Sequence, residues 1–156
     1  MKIFISHKKE DSELALSIQQ EFNSYGIKSY LDVLDSDIAS GGAELTKHIK
    51  NNLNSCTDII VVISEQTRSS WWVPFEIGMS AQIDMPTASF LKSETALPSY
   101  LSYWPCLKTT ADIGKYISVR KRTSSIIQEQ YSYYSTTEKR AIETRTFYEA
   151  LKKELR

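Results

Sequence analysis

Two residues with chemical potential stand four apart in the stretch SSWWVPFEIGMSAQ, Ser69 to Gln82: Trp72 and Glu76. Ser69 and Ser70 are of N-cap type, and Pro74 is tolerated in a helix only in its first turn, where the missing amide hydrogen is not needed. A helix is therefore expected to start between Ser70 and Pro74. A spacing of four puts Trp72 and Glu76 on one face of it, and the amino end of a helix, with its free amides and dipole, favours an ionised carboxylate. An aromatic wall beside an anion suits a flat, cationic ligand. The same stretch also has a purely structural reading. Trp72, Phe75, Met79 and Ile83 recur at helical spacing as a core stripe would, and an early glutamate often only complements the dipole.

The elements that must position these side chains alternate strand and helix. Lys2–Ser6 is a short apolar run of the kind covered on both faces in a parallel sheet. Asp11 or Ser12 then caps a helix with Leu14, Ile18, Phe22 and Tyr25 on one face, stopped at Gly26. A second strand, Ile27–Leu31, follows. Asp32–Gly42 (DVLDSDIASGG) is rich in turn formers and reads as a long loop. The next helix carries Leu45, Ile49 and Leu53 at intervals of four, with Lys47, His48 and Lys50 beside them, and leads into Asp58–Ile63 (DIIVVI), the expected central strand. Beyond the Trp72 and Glu76 helix, Pro86–Leu91 reads as a fourth strand and Pro105–Thr109 as a weak fifth. Asp112 caps a helix facing inward through Ile113, Tyr116 and Ile117 and continued by Ile126 and Ile127.

This alternation predicts an α/β fold with right-handed crossovers: a flavodoxin-like, doubly wound, five-stranded parallel sheet. Such sheets bind ligands beyond the carboxyl ends of their strands. That rule brings together Ser6 and His7, the loop after strand two, and the start of the helix bearing Trp72 and Glu76.

Bulk properties narrow the classes. The chain has 156 residues, 41% apolar and 24% charged, enough for one domain with a real core. Nineteen basic residues balance nineteen acidic ones, so no global field draws nucleic acid or an anionic membrane, and neither is an expected partner. The longest aliphatic run, Ile59–Ile63, is far too short to span a bilayer, and the amino terminus turns polar at Ser6, unlike a signal peptide. A cytoplasmic location follows as the expectation. Cys56 and Cys106 lack metal-ligand or CxxC spacing and read as buried, reduced thiols.

The stretches FISHKKED, YLD, the glycine-bearing loop, DIIVVIS and SSWWVPFE resemble the Toll/interleukin-1 receptor (TIR) domain in its stand-alone bacterial form, over roughly Met1 to Ile117. The resemblance implies a TIR fold over residues 1–130, with 131–156 as a linker and an extra C-terminal helix. In family members that are enzymes, the glutamate matching Glu76 is essential for breaking the bond between nicotinamide and ribose in NAD, and the tryptophan matching Trp72 lines the nicotinamide site. Asp35–Gly42 matches the BB loop, implicated in substrate access and assembly. The implied setting is that of Thoeris anti-phage defence: NAD as substrate, no cofactor and no metal, self-association through the domain, and a separate effector protein that senses the product.

The chemistry agrees with that implication. Ordinary glycosidases use two carboxylates because an alkoxide leaving group must be protonated. Nicotinamide in oxidised NAD is already cationic and leaves neutral, so one carboxylate suffices to stabilise the oxocarbenium charge. Weaker candidates flank this pair. Ser6 and His7 are placed to contact substrate, with a surface position as the alternative for His7; His48 reads as solvent-facing. Asp32 either orients the loop or touches ribose. Ser40, Gly41 and Gly42 offer backbone amides or simply satisfy turn geometry. Trp71 and Pro74 depart from the family's commoner cysteine after the tryptophan.

Alternatives differ in testable ways. A receiver domain would need an acidic pair after strand one and an aspartate after strand three, where this chain has Ser6-His7 and Ser64-Glu65. A nucleoside deoxyribosyltransferase-like enzyme and a non-catalytic TIR adaptor remain open, although an adaptor needs neither Trp72 nor Glu76. The tail, after YSYYSTTEK, forms an amphipathic helix, Ala141–Leu155, with Ile142, Tyr148, Leu151 and Leu155 on one stripe. That stripe either packs on its own domain or serves assembly.

Overall fold

A computed structural model describes residues 1–33, 42–68, 72–93 and 95–156, without the side chains of Asp32, Val33, Gly42, Leu45 and Trp72. Five strands form one parallel sheet: β1 (Lys2–His7), β2 (Lys28–Val33), β3 (Asp58–Ile63), β4 (Thr87–Leu91) and β5 (Cys106–Leu107). Their order is β2-β1-β3-β4-β5, the expected doubly wound arrangement. The helices are α1 (Ser12–Ser24), α2 (Gly42–Asn54), the single turn α3 (Glu65–Arg68), α4 (Trp72–Gln82), α5 (Thr110–Gln130) and α6 (Thr136–Glu154).

Strand alternation sorts the core into two layers. Ile3, Ile5, Ile60, Val62, Ala88 and Phe90 point to a layer closed by α1, α5 and α6. Phe4, Ile59, Val61 and Ile63 point the other way, onto Ile49 and Leu53 of α2 and Val73 and Ile77 of α4. All six residues of β3 are buried, as an aliphatic run in a sheet covered on both faces requires.

Several helix readings need correction. α1 buries Ala15, Ile18 and Phe22, while Tyr25 is exposed because the chain turns there into Gly26 at φ +71°. Asp11 holds the N-cap position of α1 but makes no side-chain cap bond. The cap of α5 is Thr109, with Asp112 as its reciprocal partner three residues in. The Asp112 carboxylate accepts from the amides of Lys108 and Thr109 at 3.0 and 3.1 Å. Along α5, Ile127 is buried and Ile126 exposed.

The tail packs within the chain. α6 starts earlier than its apolar stripe suggested, at a capping box in which the Ser135 amide donates to Glu138 at 3.1 Å. Its buried residues are Thr144, Phe147, Tyr148 and Leu151, and the last three belong to the main core. Ile142 and Leu155 are only half-buried. Arg120 of α5 fastens α6 further. Its Nε donates to the fully buried Asp58 at 2.9 Å, and its Nη1 pairs with Glu143 of α6.

Candidate functional site

β1 is the strand where sheet order reverses, with β2 on one side and β3 on the other. Ser6 lies in register with Asp32 on β2 and Val61 on β3. The carboxyl end of β1 is therefore the topological switch point, where doubly wound sheets hold ligands.

α4 enters from the β3 side. It begins at Trp72, which places Pro74 in the first turn as its chemistry demands. Its buried face is Val73, Glu76, Ile77 and Ser80, while Phe75 is exposed and Met79 and Ile83 are half-buried. The core stripe expected at Trp72, Phe75, Met79 and Ile83 is thus rotated by about one residue. The helix is apolar on nearly every side, so hydrophobicity alone could not choose its inner face.

Glu76 lies on that inner face, fully buried at 0% exposure, as is Ser6 on β1. The hydroxyl of Ser6 donates to Oε2 of Glu76, across 70 residues of sequence. Glu76 is the fifth residue of α4, and the first turn carries no acidic side chain. The dipole argument, which weakens beyond the first turn, is therefore replaced by burial and a strand-borne donor.

The other predicted residues fall as follows. His7 is buried at 1% exposure, so it is no surface residue; its Nδ1 lies 3.5 Å from the carbonyl of Ile5. Asp32 closes on Ser6 in backbone register within β2, and its side chain, like that of Trp72, lies outside the described structure. Ser40 and Gly41, with most of the expected loop, also lie outside the described residues. His48 is exposed, with Nε2 3.0 Å from Asn52 Nδ2 and 3.3 Å from the Tyr30 hydroxyl.

A second polar cluster at the same end of the sheet went unread in the sequence. The buried carboxylate of Asp11 accepts from Ser64 Oγ at 2.5 Å, Thr67 Oγ1 at 2.8 Å and Lys92 Nζ at 3.2 Å. Burial opposes its charge, but the two hydroxyls and the lysine outweigh that and hold its pKa below the ordinary value. Ser64 also accepts from the Thr67 amide at 3.2 Å, capping α3. The Ser-x-x-Thr spacing at the end of a strand was the available signal. This cluster ties the start of α1 to the ends of β3 and β4 and to the segment leading into α4.

A cleft of about 590 Å³ lies at the opposite, amino end of the strands, between the turn before β3, the turn before β4 and helices α5 and α6. Arg120, Lys139, Arg140 and Glu143 line it, and it includes none of the predicted site residues. Among the described residues, no group of three His, Cys, Asp or Glu side chains is placed to hold a metal ion. No helix among them is long and apolar enough to cross a membrane. Both cysteines are free, and burial raises each thiol's pKa.

A family model described as TIR domain matches residues 3–104. No curated protein matches the chain. Among solved structures, the chain is similar to the TIR domains of an activated Roq1 resistosome directly recognising the pathogen effector XopQ. That similarity has a TM-score of 0.46 at 14% identity, and covers 97% of this chain and 81% of that one.

Proposed function

The chain belongs to the TIR-domain family, and on that premise we propose that it cleaves NAD at the bond between nicotinamide and ribose, with Glu76 as the catalytic carboxylate. The observation that carries this reading is the complete burial of Glu76 among Val73, Ile77 and the sheet. Burying a carboxylate costs several kcal/mol unless it is compensated, and an apolar side chain would serve packing better at that position. A residue kept there at such a cost, beside the switch point, has the character of a functional group.

The mechanism follows from the leaving group. Nicotinamide departs from oxidised NAD as a neutral molecule, so no proton need be delivered to it. The ribosyl carbon acquires positive charge as the bond stretches, and a fixed anion nearby stabilises that charge in a water-poor site. Glu76 supplies the anion. Trp72, four residues earlier on α4, is assigned to the nicotinamide ring. His7, Asp32, Ser40 and Gly41 are assigned to the surrounding substrate pocket, and Ser6, whose hydroxyl donates to Glu76, to the carboxylate itself.

The ADP-ribosyl product is then hydrolysed, cyclised or passed to another nucleophile. We place the reaction in bacterial anti-phage signalling in the cytoplasm, with domains that self-associate and a separate effector that reads the product. The test is nicotinamide release from NAD by the purified, assembled protein, and by Glu76→Gln. The parent should release nicotinamide and the variant should lose on the order of a hundredfold or more in rate. A parent that produces neither nicotinamide nor any ADP-ribose derivative, alone or in phage-challenged cells, leaves the chain as an interaction adaptor.

A further inference from the structure

We infer that Ser6 is a positioning residue for the Glu76 carboxylate and makes no contact with substrate itself; the inference rests on the NAD-cleaving reading. Three observations carry it. Ser6 and Glu76 are both completely buried, and the Ser6 hydroxyl donates directly to Glu76 Oε2. The hydroxyl is thus spent on the protein's own carboxylate. Ser6 also sits on β1, which is flanked by β2 and β3 and paired at this position with both Asp32 and Val61. Its backbone is held from two sides, and a serine side chain has a single heavy-atom torsion. Glu76, by contrast, reaches the site from a helix through three side-chain torsions.

The consequence is a fixed anion. A carboxylate that stabilises developing charge works by standing at the right distance before the bond breaks, and displacement by about 1 Å can cost on the order of a hundredfold in rate. The donor on the rigid strand selects one rotamer of Glu76. Substrate binding need not depend on it, because the one proton of the Ser6 hydroxyl is already given to Glu76. The bond therefore acts on kcat and leaves KM alone.

The experiment uses the full chain with NAD as the probe. Ser6→Ala should lower kcat by roughly tenfold to a hundredfold, the range for losing a hydrogen bond to a charged group, with KM changed by less than about twofold. Ser6→Thr, which keeps the hydroxyl, should restore most of kcat. In a Glu76→Gln background Ser6→Ala should have little further effect on the residual rate, as expected when two residues act as one unit. A raised KM with kcat intact makes Ser6 a substrate contact and overturns the inference, as does an undiminished effect in the Glu76→Gln background. Thermal unfolding of Ser6→Ala, Glu76→Leu and the double variant is read separately. Additive shifts in Tm overturn the pairing itself, whereas a parent that releases no nicotinamide overturns the NAD-cleaving reading and the positioning role with it.

Discussion

The phenol oxygen of Tyr148, on α6, accepts a hydrogen bond at 2.9 Å from the amide of Thr87, the first residue of β4. It also donates to the carbonyl of Met85 at 3.3 Å. A helix outside the span matched by the family model thereby satisfies the backbone at the start of a central strand. Burial pushes the Tyr148 phenol up to about 12, so it stays neutral and keeps both roles at ordinary pH. Tyr148→Phe leaves a buried amide without its acceptor and should destabilise the fold by about 1–3 kcal/mol, read as a lower urea midpoint. Removing residues 137–156 should expose the core face under Phe147 and Leu151 and give insoluble protein. A soluble, cooperatively melting truncation would refute this.

Arg120 is held by unequal partners. Asp58 is completely buried, whereas the Glu143 side chain retains 18% exposure. Arg120→Ala leaves the buried Asp58 without its cationic partner, and among the described residues the Tyr116 hydroxyl at 2.9 Å and the Thr57 hydroxyl at 2.5 Å remain bonded to it. Losing one member of a buried pair costs about 3–5 kcal/mol. Glu143→Gln should cost under about 1 kcal/mol, since solvent and the Asp58 bond remain. Urea unfolding of the two variants checks the order, and equal losses would show that the anchor is α6 and not β3.

Asp11 gives the fold a signature at acid pH. Its folded pKa lies below the ordinary value of 3.8, so its bonds to Ser64, Thr67 and Lys92 stabilise the fold fully above that pH. The contribution is lost as pH falls through the lowered value, when folded and unfolded carboxyls are both protonated. Asp11→Asn should therefore be less stable than the parent by about 1–3 kcal/mol at pH 7 and pH 5, with the gap closing below pH 3.8. Urea midpoints at three pH values measure it. A gap that stays constant to pH 2.5 would mean that packing, not the charge, is what Asp11 contributes.

The central strand was legible because it is an aliphatic run with no polar alternation, and its borders at Asp58 and Ile63 coincide with the observed ones. The pairing of Glu76 with Ser6 was half legible. Both residues followed from the carboxyl-end rule, but their mutual bond depends on which face of α4 turns inward. There Val73 and Ile77 prevail over Phe75. A glutamate is excluded in advance from any list of core residues, so the face that contains it was passed over. The Asp11 cluster was hidden for a related reason. An aspartate before a helix reads as a cap, and only the fold brings Ser64 and Lys92 to it. The tail helix was recognised from its amphipathic stripe, whereas its partner required the contacts of Phe147 and Tyr148.

Function and stability are separable at the Ser6 and Glu76 pair. If Glu76 is kept for chemistry, its burial is a net cost to the fold. Replacing it alone with leucine strands the Ser6 hydroxyl without an acceptor, a loss of about 1–3 kcal/mol that obscures the comparison. Replacing both partners by apolar groups of similar shape avoids stranding that hydroxyl, and such double replacements are often nearly neutral or stabilising. Leucine also extends the apolar contacts already made by Val73 and Ile77 on the same helix face. The double variant Ser6→Ala, Glu76→Leu should therefore melt at or above the parental Tm while releasing no nicotinamide from NAD. Calorimetry and a nicotinamide assay on one preparation read both outcomes. A double variant that melts well below the parent would identify the pair as part of the structural framework, and the burial of Glu76 would then no longer argue for catalysis.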